Sequence, residues 1–299
     1  MLHNRLWLRQ NKNLLLLHAT VFVWGFTGIL GELISINATL LVWYRVLIAS
    51  STLFIWFKLR KTAYKIDIRT LAKLIFTGSI LAVHWILFFY SIKQSTVSVT
   101  LVCLSSITLF TAILEPLTKR KKIQAIEIIV GLMIITGIYL IFEFESQYTL
   151  GIITGLLSAL CASSFSIINS NLIQHTPAPI ISFYELFGAF FWITLYLLFT
   201  DGASIIHTIP GIQDCIYLLL LGTVCTSVAY VAGVSVMKEL SAFRAALITN
   251  LEPIYGILLA FVILGKNEKM SLGFYSGALI ILSSIFLYPV IKNRANRRK

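Results

Sequence analysis

The chain is predicted to be an all-α integral membrane protein, with ten transmembrane helices built as two inverted five-helix repeats, and three observations carry that prediction. The first is composition. Of the 299 residues 58% are hydrophobic and 12% charged, and the mean hydropathy is +0.88, which excludes a water-soluble globular domain. The second is length. Apolar runs of about 18 to 24 residues recur ten times, and a bilayer core takes roughly 20 helical residues. The third is internal likeness. Trp43-Tyr-Arg-Val46 pairs with Phe183-Tyr-Glu-Leu186 at an offset of 140, Ser91 to Thr108 with Val236 to Pro253 at 145, and Gly131-Leu-Met-Ile-Ile with Gly277-Ala-Leu-Ile-Ile at 146. Five spans per unit is an odd number, so the second copy enters the membrane the opposite way round, as in the inverted repeats of secondary transporters. Residues 1–145 and 146–299 are the two expected units.

The runs are Leu14–Ile36, Leu40–Phe57, Leu71–Ile92, Val97–Thr118, Gln124–Phe142, Leu150–Ile173, Pro179–Phe199, Ile212–Met237, Ala242–Leu264 and Ser271–Ile291. Nineteen of the 24 Lys and Arg fall in the tails and loops of one side, and three (Lys93, Lys266, Lys269) on the other. Arg45 and Arg244 fall within spans. The positive-inside rule then puts both termini in the cytoplasm, with the chain in the cell inner membrane. The same rule absorbs the net charge of +12, which would otherwise suggest nucleic acid. Arg5, Arg9 and Lys12 lead an apolar stretch as in a signal peptide, but the stretch is too long and lacks a small-x-small cleavage site, so it is the first span. Cys103, Cys161, Cys215 and Cys225 form no CxxC pair and have no neighbouring His, which makes them packing residues and leaves no expected metal or cofactor site.

Taken in order, the first span carries Trp24, Gly25, Gly28 and Gly31, the glycines on one face where another backbone can come close. The second opens with Trp43-Tyr44-Arg45, an arginine just below the outer surface that either snorkels or serves a site. His84-Trp85 lies near the middle of the third. A membrane histidine suits a helix-to-helix hydrogen bond, and its titration near neutrality also makes it a proton-coupling candidate. The fourth span has Ser105, Ser106 and Thr108 at mid-depth and Glu115 near Lys119, where an interfacial ion pair is expected. The sixth has a seam of Gly151, Gly155, Ala159, Ala162 and Ser166, the seventh carries Tyr184-Glu185, and the eighth carries Tyr230, whose hydroxyl needs a partner. The tenth has Gly273-x-x-x-Gly277 and a basic tail.

The ninth span is the most informative because Asn250, Glu252 and Pro253 sit at its centre. A mid-bilayer carboxylate costs roughly 2.5–3.5 kcal/mol on insertion scales, so Glu252 should face the bundle interior or a wet cavity, or be protonated at pH 7. Pro253 leaves the Thr249 carbonyl without its helical donor at the same depth. A packing kink is one use of such a triplet, and a substrate or ion path is the other. By the repeat, Arg45 and Glu185 are equivalent positions on opposite sides of the membrane and could act as complementary gate residues.

Trp24-Gly25, Tyr44-Arg45, the Ser91 to Glu115 stretch and Leu251-Glu252-Pro253 together resemble the drug/metabolite transporter superfamily in its EamA branch, over nearly the whole chain. Leu-Glu-Pro in that setting is the most specific piece. The chain departs from the pattern at Thr108, where many members have proline, and at Lys119 to Lys122 and Gly265-Lys266, where Gly-Glu is usual. The resemblance implies movement of small metabolites, often export of amino acids or related compounds, through a central cavity. In that cavity His84, Trp85, Ser106, Thr108, Tyr230, Asn250 and Glu252 are the expected substrate-binding lining, with Tyr44, Arg45, Tyr184 and Glu185 toward the two mouths. Glu252 and His84 are the proton-coupling candidates, and the partners are the lipid bilayer, a small-molecule substrate and protons. A membrane-embedded protease or lipid-modifying transferase would need a catalytic set that His84 and Glu252 do not form, and no GxxxxGK[ST] is present to couple ATP. A non-transporting scaffold is the remaining alternative.

Overall fold

The computed structural model describes residues 12–120, 125–200 and 209–297, and among them every regular element is helical. Arg5, Arg9, Lys121, Lys122, Arg298 and Lys299 of the topology argument, and Gln124 at the expected start of the fifth span, lie outside the described residues. Among the described residues 9 helical stretches are long and apolar enough to cross a membrane, and a shorter apolar segment, Leu272–Tyr288, stands where the tenth span is expected.

The first three spans are continuous helices, α1 (Lys12–Leu33), α2 (Ala38–Arg60) and α3 (Ile68–Gln94). Side-chain caps set two of their starts. Asn37 accepts from the Leu40 amide at 3.0 Å, and Asp67 accepts from the Arg69 and Thr70 amides at 3.0 Å each, relieving amides that a helix start leaves unpaired. The fourth span divides into α4 (Val97–Leu104) and α5 (Ile107–Lys119). Then come α6 (Ala125–Phe144), α7 (Thr149–Leu172) and α8 (Ala178–Thr200). The eighth span runs through α9 (Ile212–Gly222), a π-helical stretch Thr223–Val228 and α10 (Ala229–Val236). The ninth divides into α11 (Ala242–Thr249) and α12 (Glu252–Leu264), and α13 (Leu272–Arg297) follows.

The two divided spans match residue for residue: Val97 to Ala242, Leu104 to Thr249, Ile107 to Glu252 and Lys119 to Leu264 all differ by 145. Their caps match as well, since Thr96 accepts from the Val99 amide and Ser241 from the Arg244 amide. Packing follows the same relation. The third span lies along the sixth and seventh, as the eighth lies along the first and second, while the fourth packs on the sixth as the ninth packs on the first. Small residues permit these approaches. A Cβ on Gly137 would meet the Gly277 carbonyl at 2.7 Å, and the missing Cβ is what seats α6 against α13.

Charged residues near the helix ends tie the halves together. Glu268 accepts from the amides of Val97 and Ser98 at 3.1 and 2.9 Å at the start of α4, and Asp214 accepts from the Ser35 amide at 2.9 Å. Glu145 accepts from the Ser271 amide at 2.8 Å. On the opposite face Glu115 makes the expected ion pair with Lys119 at 2.6 Å and also accepts from the Phe243 amide at 3.0 Å, at the start of α11. Large apolar side chains face outward around the bundle, among them Phe199, Val262 and Leu198, a surface suited to lipid.

Candidate functional site

The divided spans cross at their breaks. α4 packs on α12 and α5 on α11, so the spans run antiparallel, and at the crossing the Asn250 side-chain amide donates to the Thr108 hydroxyl. Both residues are buried. Neither break is a loose loop. The Ser106 amide and hydroxyl both donate to the Cys103 carbonyl, at 3.1 and 2.7 Å, which satisfies a backbone acceptor where the regular ladder lapses.

Beside this crossing lies a cavity of about 100 Å³. That is several times the roughly 10–15 Å³ needed to hold one water by the same measure. Its walls are largely aromatic and aliphatic, with Trp24, Trp85, Phe88, Phe165 and Tyr230 among them, and its charged members are Arg45 and Glu252. Glu252 is 5% exposed, opens α12 immediately before Pro253, and makes no hydrogen bond to a described residue. Arg45 is 2% exposed; its Nε donates to the Thr226 hydroxyl at 2.6 Å, and its guanidinium carbon lies 4.0 Å from the centre of the Trp85 ring. Such a stack offsets part of the desolvation of a buried guanidinium. The two charges face one cavity without an ion pair between them among the described residues.

His84 makes the helix-to-helix bond its setting suggests, and it also lines the cavity. Its Nδ1 lies 3.0 Å from the Ser158 carbonyl and 2.8 Å from the Ser158 hydroxyl. Ser158 completes the clamp by donating its hydroxyl to the His84 carbonyl at 2.9 Å.

Next to the cavity wall, Tyr230 donates to Oε2 of Glu185 at 2.7 Å, and Asn169 donates to the same oxygen at 3.0 Å. This supplies the partner that the Tyr230 hydroxyl needs. Oε1 of Glu185 and Oδ1 of Asn169 have no partner among the described residues.

Of the residues singled out from the sequence, Arg45, His84, Trp85, Tyr230 and Glu252 meet at the cavity. Ser106, Thr108 and Asn250 lie outside its lining because their polar groups are spent on the helix breaks. Glu185 lies behind Tyr230, Tyr184 donates to the Tyr64 carbonyl at 2.9 Å, and Tyr44 packs edge-on against Trp43 with ring centres 4.9 Å apart. Arg45 and Glu185 hold separate partners and do not meet each other. Trp24, Phe165 and Asn169 line the site without having been singled out for it. A signal existed for Asn169, a polar residue on the face continuing Ala162 and Ser166, and for Trp24, which precedes Gly25. Trp24 is seated because Gly233 has no Cβ, which would lie 2.7 Å from the indole.

A model of the EamA-like transporter family matches residues 11–143 and again residues 149–288. An uncharacterized transporter of Clostridium kluyveri is 26% identical over 218 residues, 69% of this chain and 67% of the relative. A crystal structure described only as that of a protein superposes with a TM-score of 0.70 over 94% of this chain and 98% of its own, at 13% identity, a likeness of fold.

Proposed function

The chain belongs to the EamA-like transporter family, and from that premise we propose that it exports small amphipathic metabolites, amino acids or related compounds, by alternating access. It is a membrane transporter of the drug/metabolite superfamily rather than an enzyme. In the proposed arrangement ten spans form two inverted units, residues 1–145 and 146–299, in the cell inner membrane with both termini cytoplasmic. The observation that carries the reading is Glu252, an unbonded buried carboxylate on an aromatic-walled cavity at the crossing of two broken spans. Such breaks place polar groups at the midplane of secondary transporters, where the halves rock about a fixed site. The aromatic faces suit an apolar body, and Glu252 suits an amine.

The lining reaches Met237 and Ala245, near the helix ends on the side of the basic loops, while Glu268 and Asp214 bond the halves together on the other side. This supports a state accessible from the cytoplasm. Glu252 and His84 are the groups through which protons would couple.

A melting-temperature screen of the detergent-purified protein against amino acids, amines and nucleosides, run beside Glu252→Gln, tests the reading. A ligand at 100 times its dissociation constant adds about 2.7 kcal/mol of stability by mass action. A shift with one class that vanishes in Glu252→Gln is expected. Shifts equal in both proteins would return Glu252 to a packing role.

A further inference from the structure

Among the described residues Arg45 finds a partner for one of its three guanidinium nitrogens. Nε donates to Thr226, and among the described residues neither Nη1 nor Nη2 has a partner. No carboxylate reaches it within ion-pair distance among the described residues. A buried donor left unmet is costly, and a buried charge more so. Glu252 shares the cavity and bonds no described residue, yet the two make no ion pair with each other.

The restraint on Arg45 comes from the π-helical stretch Thr223–Val228. There the Thr226 hydroxyl donates to the Leu221 carbonyl, five residues back, at 2.6 Å. Its single proton being used, the oxygen can only accept from Arg45. In a regular turn a threonine hydroxyl bonds three or four residues back, as Thr194 does to Phe190 at 2.7 Å, so the wider turn sets where the lone pair of Thr226 points. Ser227 reinforces the stretch by donating to the Ala49 carbonyl of the second span at 3.0 Å. With Nε fixed on one side and Trp85 stacked at 4.0 Å, the guanidinium has one orientation, and its terminal nitrogens are the groups left to bind.

We propose that Arg45 is an oxyanion subsite within the transport cavity, that it takes the carboxylate of the substrate, and that Thr226 is the positioning residue that aims it. The proposal rests on the transport reading above. A phosphate dianion fits poorly because Glu252 faces the same low-dielectric space and would repel the second charge. A monoanion carrying an ammonium at its other end satisfies Arg45 and Glu252 together.

The test compares the twenty common amino acids with their carboxamides and their decarboxylated amines, reading melting temperature and affinity in detergent. Losing a charge-assisted hydrogen bond corresponds to about tenfold or more in affinity. Any amino acid that stabilises the protein is expected to bind at least about tenfold tighter than its amide and amine. Thr226→Val is expected to shrink that acid-to-amide ratio and Thr226→Ser to restore it, a pattern that loss of packing would not give. Equal binding of acid and amide overturns the subsite. So does stabilisation by amines alone that depends on Glu252, an outcome that leaves the transport reading standing. Silence from every ligand of both classes overturns both. A ratio insensitive to Thr226→Val overturns the positioning role.

Discussion

The fourth span breaks after Leu104 and the ninth after Thr249, and in both an 8-residue helix leads to a 13-residue one. Ser106 and Leu251, the residues before the second helix in each, have φ/ψ of −66°/−6° and −77°/−16°, the same tight turn. The chemistry at the two breaks differs. The ninth has Glu252-Pro253 where the fourth has Ile107-Thr108, and the fourth turns without proline by bonding serine hydroxyls to its own carbonyls. The neighbours differ too. Gly256 meets Gly25 of the first span backbone to backbone, whereas its counterpart Thr111, 145 residues earlier, bonds the Ser163 hydroxyl of the sixth at 2.9 Å. The repeat therefore conserves the backbone device, and the second copy alone adds charge to it.

Glu252→Ile removes this difference and carries the largest expected effect. Transport should fall on the order of 100-fold or more, because a paired buried charge is worth roughly 2–5 kcal/mol to its partner. The fold should survive, since Glu252 bonds no described residue and its loss leaves no hydrogen-bond partner unmet. A parallel loss of fold would show that the break itself needs the carboxylate.

Gly25→Val tests the glycine contact of the ninth span. A Cβ there already meets the Gly256 nitrogen and the Tyr255 Cβ at 3.2 Å, so overpacking should cost about 1–3 kcal/mol. Ser163→Ala at the matching contact of the fourth should cost about 0.6 kcal/mol, typical of a hydrogen bond between membrane helices. Equal losses in reversible unfolding measurements would erase the distinction between the two contacts.

Thr108→Val and Asn250→Ala remove the bond that joins the breaks. A double-mutant cycle should give a coupling near 0.6 and at most about 1.7 kcal/mol. Zero coupling would mean that the breaks meet without holding each other.

The smallest effect is expected away from both breaks, at the loop residue Asp67. The Thr70 hydroxyl first, and then the Thr70 and Arg69 amides, hold its carboxyl below the usual 3.8. A lowered folded value means that its stabilisation is full above the unfolded pKa and is lost as pH falls through the folded one. Asp67→Asn should therefore lie slightly below the wild type in melting temperature at pH 7, with the gap narrowing as the pH falls below 3.8. A constant difference across that range would show that the carboxylate charge plays no part in the cap.

The sequence alone determined the membrane class, nine of the spans among the described residues and the internal repeat, because each is written in runs of apolar side chains that need no partner to be recognised. It also marked Glu252, since a carboxylate in such a run is costly wherever the run packs. Other features depended on which helices meet. Nothing in Ser105-Ser106 announces a break without the symmetric ninth span across from it, and nothing in Thr223 to Val228 announces a π-helical turn until Arg45 stands beside it. Asn250 and Thr108 read as cavity residues by depth, but helix rotation turned them toward each other and left the cavity to Trp24, Phe165 and Asn169. Depth follows from position along the chain, whereas the facing of a side chain within the bundle is fixed only when neighbouring helices close around it.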